Sequence, residues 1–176
     1  MERDIKLVIF DLDGTLVYLP IKYERLREEM SRVLGVNKVD SILGALANID
    51  GDLKMKIFDI WSRLEVEALP ELREIDEGIK IYNKFHGKIR CLVTLQGKLI
   101  VERILKKTGL SFDHIITRED SLNRDEQIKM IIKKFNVDPR EILVVGDRES
   151  DREAAKRFGC KFVFVKNRDP GGKAFL

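Results

Sequence analysis

The chain has 176 residues, 44% of them hydrophobic and 36% charged, and its 33 Lys+Arg against 30 Asp+Glu leave a net charge of +3. That is enough apolar material for one domain, or for one domain with a small insertion. The near balance of charge argues against a dedicated nucleic-acid binder, which carries a clustered basic surplus, and no apolar run approaches the roughly 20 residues of a bilayer span, so neither a nucleic acid nor a membrane is expected as a partner.

The N-terminal Met1-Glu2-Arg3-Asp4 runs straight into an apolar stretch and lacks the form of a signal peptide. Cys91 and Cys160 both fall in or beside strand-like apolar runs, so they read as buried free thiols rather than a disulfide. Together these point to a cytoplasmic protein. Residues 5–10 form the first predicted strand, and Asp11-Leu12-Asp13-Gly14-Thr15 follows at once. Ligands of open α/β sheets bind outside the carboxyl ends of the strands. Here that place holds acids, which cannot face a phosphate without a cation between them. The arrangement implies a hard divalent ion, Mg²⁺, bound through oxygen. One carboxylate is then left to act as nucleophile or as acid/base. Taken alone, Asp-x-Asp-Gly suits a calcium loop or an ordinary acidic turn as well.

About 78 residues, 11–88, separate the first strand from the second, far more than a crossover helix needs. Leu26, Met30, Val33 and Leu34 form one apolar stripe, and Leu53, Ile57, Ile60, Trp61 and Leu64 another. Residues 18–72 therefore read as a helical insertion over the mouth of the sheet, with Trp61 and the methionines in its core. Residues 73–86 read as the crossover helix, marked by Ile75, Ile79 and Tyr82. Four more β-branched runs follow at 89–94, 114–117, 142–146 and 162–165. The helical patterns between them carry Ile100, Ile104 and Leu105, then Ile128, Ile131, Ile132 and Phe135, then Ala154, Ala155 and Phe158. Such alternation predicts a parallel sheet with helices on both faces. Asp138-Pro139-Arg140-Glu141 reads as a single capped turn before the fourth strand. The tail 167–176, with Pro170-Gly171-Gly172, is expected to fray.

Further chemistry falls at strand ends: Thr94 closes the second strand, Arg124 stands at the head of the helix before the fourth, and Gly146-Asp147-Arg148-Glu149-Ser150-Asp151 closes the fourth. On these residues the chain resembles the haloacid dehalogenase superfamily, mostly Mg²⁺-dependent phosphatases, over 5–17 and 73–165. The resemblance implies an α/β fold with a Rossmann-like parallel sheet of order 5-4-1-2-3. It divides the chain into a core of 1–17 and 73–176 and a small helical cap, 18–72, inserted after the first strand; joined through Pro-bearing segments near 17–20 and 69–72, that insertion is expected to move as a lid. It makes Asp11 the nucleophile that forms an aspartyl-phosphate. Asp13 becomes the general acid/base, its backbone carbonyl reaching the metal, and Asp147 completes the metal site with Asp11. Asp151 would orient the metal's surroundings, and Thr94 and Arg124 would hold phosphoryl oxygens.

Two departures stand out. The family's usual cation is Lys, whereas Arg124 occupies that place here, with Lys129 as an outside alternative and a solvated face as the plain one. Arg148 stands where many relatives have Ser. The function implied is hydrolysis of a small phosphorylated metabolite. A phosphomutase or a catalytically weak binding relative is the alternative. A dehalogenase attacking carbon would have no use for the acid Asp13. A phospho-receiver domain carries its acceptor on a middle strand and has no such insertion.

Overall fold

The computed structural model describes residues 4–166; the tail 167–176 lies outside them. In chain order the elements are β1 (Leu7–Phe10), β2 (Val17–Tyr18), α1 (Tyr23–Leu34), α2 (Ile42–Leu46), α3 (Gly51–Ala68), β3 (Arg73–Glu74), α4 (Asp76–Lys84), β4 (Ile89–Val93), α5 (Lys98–Thr108), β5 (His114–Ile116), α6 (Arg124–Phe135), β6 (Ile142–Gly146), α7 (Glu149–Phe158) and β7 (Lys161–Phe164). Single 3₁₀ turns lie at Leu69–Glu71 and Pro139–Glu141. The second is capped as expected, with Asp138 Oδ1 accepting from the Arg140 N–H at 2.9 Å.

Five strands form one parallel sheet in the order β5-β4-β1-β6-β7. Numbered as the five predicted strands, this is 5-4-1-2-3 read from the other edge. All four residues of β1 are buried, as befits a central strand covered on both faces. Because side chains alternate along a strand, Leu7, Ile9, Cys91, Val93, Ile142 and Val144 share one face. There they meet Ile128 and Ile131 of α6 and Ala154 and Ala155 of α7. Elsewhere in this unit Phe10, Tyr82 and Phe112 form an aromatic group with ring centroids 5.5–6.2 Å apart. Both cysteines are free, and burial pushes the Cys91 thiol up to about 12 and the Cys160 thiol to about 11.

Three elements, β2, β3 and α2, were not foreseen. β2 and β3 pair antiparallel, Val17 opposite Glu74 and Tyr18 opposite Arg73, and the Arg73 guanidinium sits 4.8 Å from the Tyr18 ring centre. Two residues per strand give no alternation to read. The short α2 is started by Ser41, whose Oγ accepts from the Gly44 N–H at 3.0 Å.

The described residues divide into two compact units, 4–18 with 73–166, and 19–72. In the second, α1 packs on α3 around the buried Met30 and Trp61, and the Tyr23 ring stands edge-on to Trp61 at 6.4 Å. Arg25 reaches Glu29 at 3.2 Å and Glu67 at 2.7 Å, and Arg63 pairs with the same two acids. The expectation that the methionines of this segment are core fails at Met55, which is 57% exposed. It lies off the stripe through Ile57, Trp61 and Leu64. Among the described residues no helix is long and apolar enough to cross a membrane.

Candidate active site

The site begins where β1 ends. The Asp11 N–H donates to the Val145 carbonyl at 3.0 Å, continuing the sheet ladder one residue further and fixing the Asp11 backbone. The chain then turns tightly: the N–H groups of Thr15, Leu16 and Val17 all converge on the Leu12 carbonyl at 2.9–3.2 Å. Gly14 takes φ +85° in this turn, a region costly to any residue with a Cβ. The turn brings the fully buried Thr15 hydroxyl back to 3.2 Å from Asp11 Oδ2 and 3.3 Å from Asp147 Oδ1. One hydroxyl hydrogen serves these two acceptors in turn. From behind, α4 supports the loop: the Ile75 N–H donates to the Leu16 carbonyl at 2.9 Å, and Gly78 lies against Thr15. A Cβ on Gly78 would stand 2.8 Å from the Thr15 carbonyl carbon and closer still to its oxygen.

β6 delivers Asp147 beside Asp11, and the first turn of α7 folds Asp151 back toward the strand end. Asp151 Oδ2 accepts from the Arg148 N–H at 3.3 Å. Gly146 makes room for this, since a Cβ there would meet Asp151 Oδ2 at 2.5 Å. Oxygens of Asp11, Asp147 and Asp151 come within 4.8 Å of one another. The Asp11–Asp147 pair is therefore well inside the roughly 8 Å beyond which two carboxylates cannot share an ion bound at about 2.0–2.1 Å. The carboxylate of Asp13, only 6% exposed, is not part of this group.

Arg124 opens α6, whose start is capped by Asn123 Oδ1 accepting from the Glu126 N–H at 3.1 Å. Its guanidinium is not on a solvated face: the side chain is 15% exposed. Nη2 donates to Asp11 Oδ1 at 2.6 Å, Nε lies 2.9 Å from Asp151 Oδ1, and Nη1 donates to Gln127 Oε1 at 2.9 Å. The alternative cation, Lys129, points outward, 63% exposed and 3.6 Å from Glu126. Burial alone would favour a neutral Arg124, but Asp151 and Asp11 outweigh it and hold the guanidinium more firmly protonated. Burial also pushes the Asp151 carboxyl up. Arg124 opposes that shift, and the like charges of Asp11 and Asp147 add to it.

Thr94 extends β4 with its N–H on the Ile116 carbonyl at 3.0 Å. Its hydroxyl donates to Gln96 Oε1 at 2.5 Å and accepts from the Gln96 N–H at 3.1 Å. Its carbonyl accepts from Gln127 Nε2 at 2.9 Å, which ties it to the Arg124 side of the site. Reading the sequence did not single out Gln96 or Gln127. The available signal was compositional: they are the only two glutamines in the chain, and they fall two residues after Thr94 and three after Arg124.

The family described as Haloacid dehalogenase-like hydrolase matches residues 20–165. An uncharacterized hydrolase of Saccharomyces cerevisiae, YOR131C, is 29% identical over 175 residues, covering 94% of this chain and 79% of the relative. A phosphoglycolate phosphatase of Vibrio parahaemolyticus is 24% identical over 188 residues, covering 90% and 82%. The structure of CbbY from Rhodobacter sphaeroides in complex with phosphate superposes with a TM-score of 0.69 at 18% identity, over 93% of this chain and 87% of that one. At that identity the likeness is one of fold.

Proposed function

The chain belongs to the haloacid dehalogenase-like hydrolases, and from that premise we propose that it is a Mg²⁺-dependent phosphatase hydrolysing a small phosphate monoester through an aspartyl-phosphate. The observation that carries this reading is the meeting of Asp11, Asp147 and Asp151 within 4.8 Å, with Arg124 bridging Asp11 and Asp151. Phosphatase names among the relatives support the same reaction class. The donors are hard carboxylate oxygens close enough to share one ion, which suits Mg²⁺ rather than a soft metal. Asp11, the Asp13 carbonyl and Asp147 would hold it, with Asp151 orienting its surroundings. When bound, it would neutralise phosphoryl oxygens that the carboxylates would otherwise repel.

The chain's own groups carry the steps. An Asp11 oxygen attacks phosphorus and forms a new P–O bond, while the ester P–O bond breaks. Asp13 gives its proton to the departing alkoxide. Water then attacks the aspartyl-phosphate, and the carboxylate of Asp13 takes that water's proton. Asp11 is released with inorganic phosphate. Arg124 and the Thr94 hydroxyl hold the remaining phosphoryl oxygens, so that positioning and charge supply most of the acceleration. To do so the Thr94 hydroxyl exchanges its hydrogen bond to Gln96 for one to the substrate. A halide leaves without a proton, so the buried acid Asp13 favours phosphate over carbon–halogen substrates. The cytoplasm, with its reduced thiols and phosphorylated metabolites, is the setting that fits.

The test is phosphate release from a panel of small esters, with Asp11→Asn as control. Turnover is expected with Mg²⁺ and is expected to vanish after exhaustive chelation. Asp147→Ala should raise the Mg²⁺ concentration needed for half-maximal rate by about 10–100-fold, the cost typical of losing a supporting metal contact or more. Full activity without divalent ions would remove the metal from the scheme. Ca²⁺ should substitute poorly, because it takes more ligands in looser geometry.

A further inference from the structure

We infer that Gln127 is a positioning residue that fixes the orientation of the Arg124 guanidinium, and that this fixed orientation lets an arginine serve where the family resemblance places a lysine. The kinetic part of this inference rests on the phosphatase reading above; the structural part does not. Gln127 is fully buried, and its amide has no freedom to turn over. Both Nε2 hydrogens are taken by backbone carbonyls, Thr94 and Ser121, each at 2.9 Å. Turned over, the amide would set its oxygen against two carbonyl oxygens and its NH₂ against the Arg124 donor. Backbone therefore fixes the amide, and the amide presents Oε1 to Arg124 Nη1 at 2.9 Å.

The guanidinium is a rigid planar fork. With Nη1 held by Gln127, its Nε and Nη2 are left aimed at Asp151 and Asp11. Three donors on three atoms meet three acceptors from α6, β1 and α7. An ammonium has no such plane, and it does not need the third partner to be aimed. Without Gln127 the fork keeps its contacts to Asp11 and Asp151 but loses the partner on its third nitrogen, and its plane is held less closely. Because the Gln127 amide also holds the Thr94 carbonyl, one neutral side chain sets the spacing between the two groups proposed to grip the phosphoryl oxygens.

The first experiment reads the guanidinium directly by ¹⁵N–¹H NMR of the full chain, with Arg124→Lys supplying the assignment. Wild type should show separate, slowly exchanging Arg124 Nη signals, and Gln127→Met should merge or lose them. Gln127→Asn, one methylene shorter, should do the same and stands in should Gln127→Met fail to fold. Unchanged Nη signals in the folded variant, or none in wild type, would overturn the inference.

The second experiment uses p-nitrophenyl phosphate with Mg²⁺. Gln127→Met should lose about 10–100-fold in kcat/KM, the scale of a small misplacement in an active site. In an Arg124→Lys background the same change should cost several-fold less than in wild type, because coupled residues are non-additive and only the bond to the Thr94 carbonyl is then left to lose. Full multiplication of the two losses would show that Gln127 does not act through Arg124 and would overturn the inference. A wild type that releases no phosphate from any ester would bring down the phosphatase reading, and the NMR result would still decide the clamp.

Discussion

Asp11→Asn is expected to abolish both phosphoenzyme and product, with turnover falling by on the order of 10⁴–10⁶-fold as for other nucleophile deletions. Asn lacks the charge to attack phosphorus, and it presents an NH₂ to a site built around Arg124 and Thr15 donors. Asp13→Asn should behave differently, because it spares the proposed nucleophile and removes the proposed proton donor and later base. With p-nitrophenyl phosphate the leaving group departs without a proton, so the first step suffers least. Water attack still needs a base and should slow by about 10²–10⁴-fold. The Asp13 variant should then accumulate an acid-stable, base-labile phosphoenzyme, visible by mass spectrometry after acid quench. Phosphorylation of the Asp11→Asn variant would show that another residue is the nucleophile.

Gly78→Ala is expected to damage stability and activity together, although residue 78 lies on α4 and touches no reacting group. Its Cβ would intrude on the Thr15 carbonyl, and backbone cannot swing aside as a side-chain tip can. Overpacking of this kind costs about 1–3 kcal/mol, sometimes more. In a chain of this size that corresponds to a fall in Tm of roughly 2–12 °C. Displacing Thr15 also moves the hydroxyl between Asp11 and Asp147, so turnover should drop as well. Gly146→Ala makes an informative comparison, since there a Cβ would stand 2.5 Å from Asp151 Oδ2 and 2.8 Å from the Asp151 Cβ, so the first turn of α7 has to shift as well as the carboxylate. It too should lower Tm, and it should lower turnover because the displaced Asp151 gives up its contact with Arg124. Thermal unfolding and turnover measured on both variants would check this, and wild-type values for Gly78→Ala would refute it.

The sheet was legible because its physics is local. The buried Leu7–Phe10 and Ile142–Gly146 are β-branched or apolar at every position but the last glycine, and the alternation with periodic helices fixes a parallel sheet. Asp11 stood out by charge at a strand end, whereas Asp147 and Asp151, the latter in the first turn of α7, were singled out through the family resemblance. Arg124 was legible as a cation in the right place, but its simultaneous grip on two carboxylates was not, since it depends on how α6 and α7 meet. Gln127 and Gln96 carry no charge and break no pattern. Their importance comes from burial and from which carbonyls happen to lie within reach, and sequence spacing reports neither. The ribbon of β2 and β3 pairs residues on either side of the whole insertion with no periodicity to advertise it.

That ribbon also makes the insertion a replaceable part. Tyr18 and Arg73 stand directly opposite one another across an antiparallel pair, so their Cα atoms are about 4.5–5.5 Å apart. A two-residue turn such as Asn-Gly closes that gap without strain. The chain between them is thus a detour whose length the sheet does not feel: doubling it would cost only about 0.6 kcal/mol in closure entropy. The hydrogen bonds of the ladder through β1 and of the turn carrying Asp11 are all made within residues 4–18 and 73–166, so none of them runs through residues 19–72. A segment can thus be inserted or lengthened at this junction while the backbone that carries Asp11 keeps the bonds that hold it.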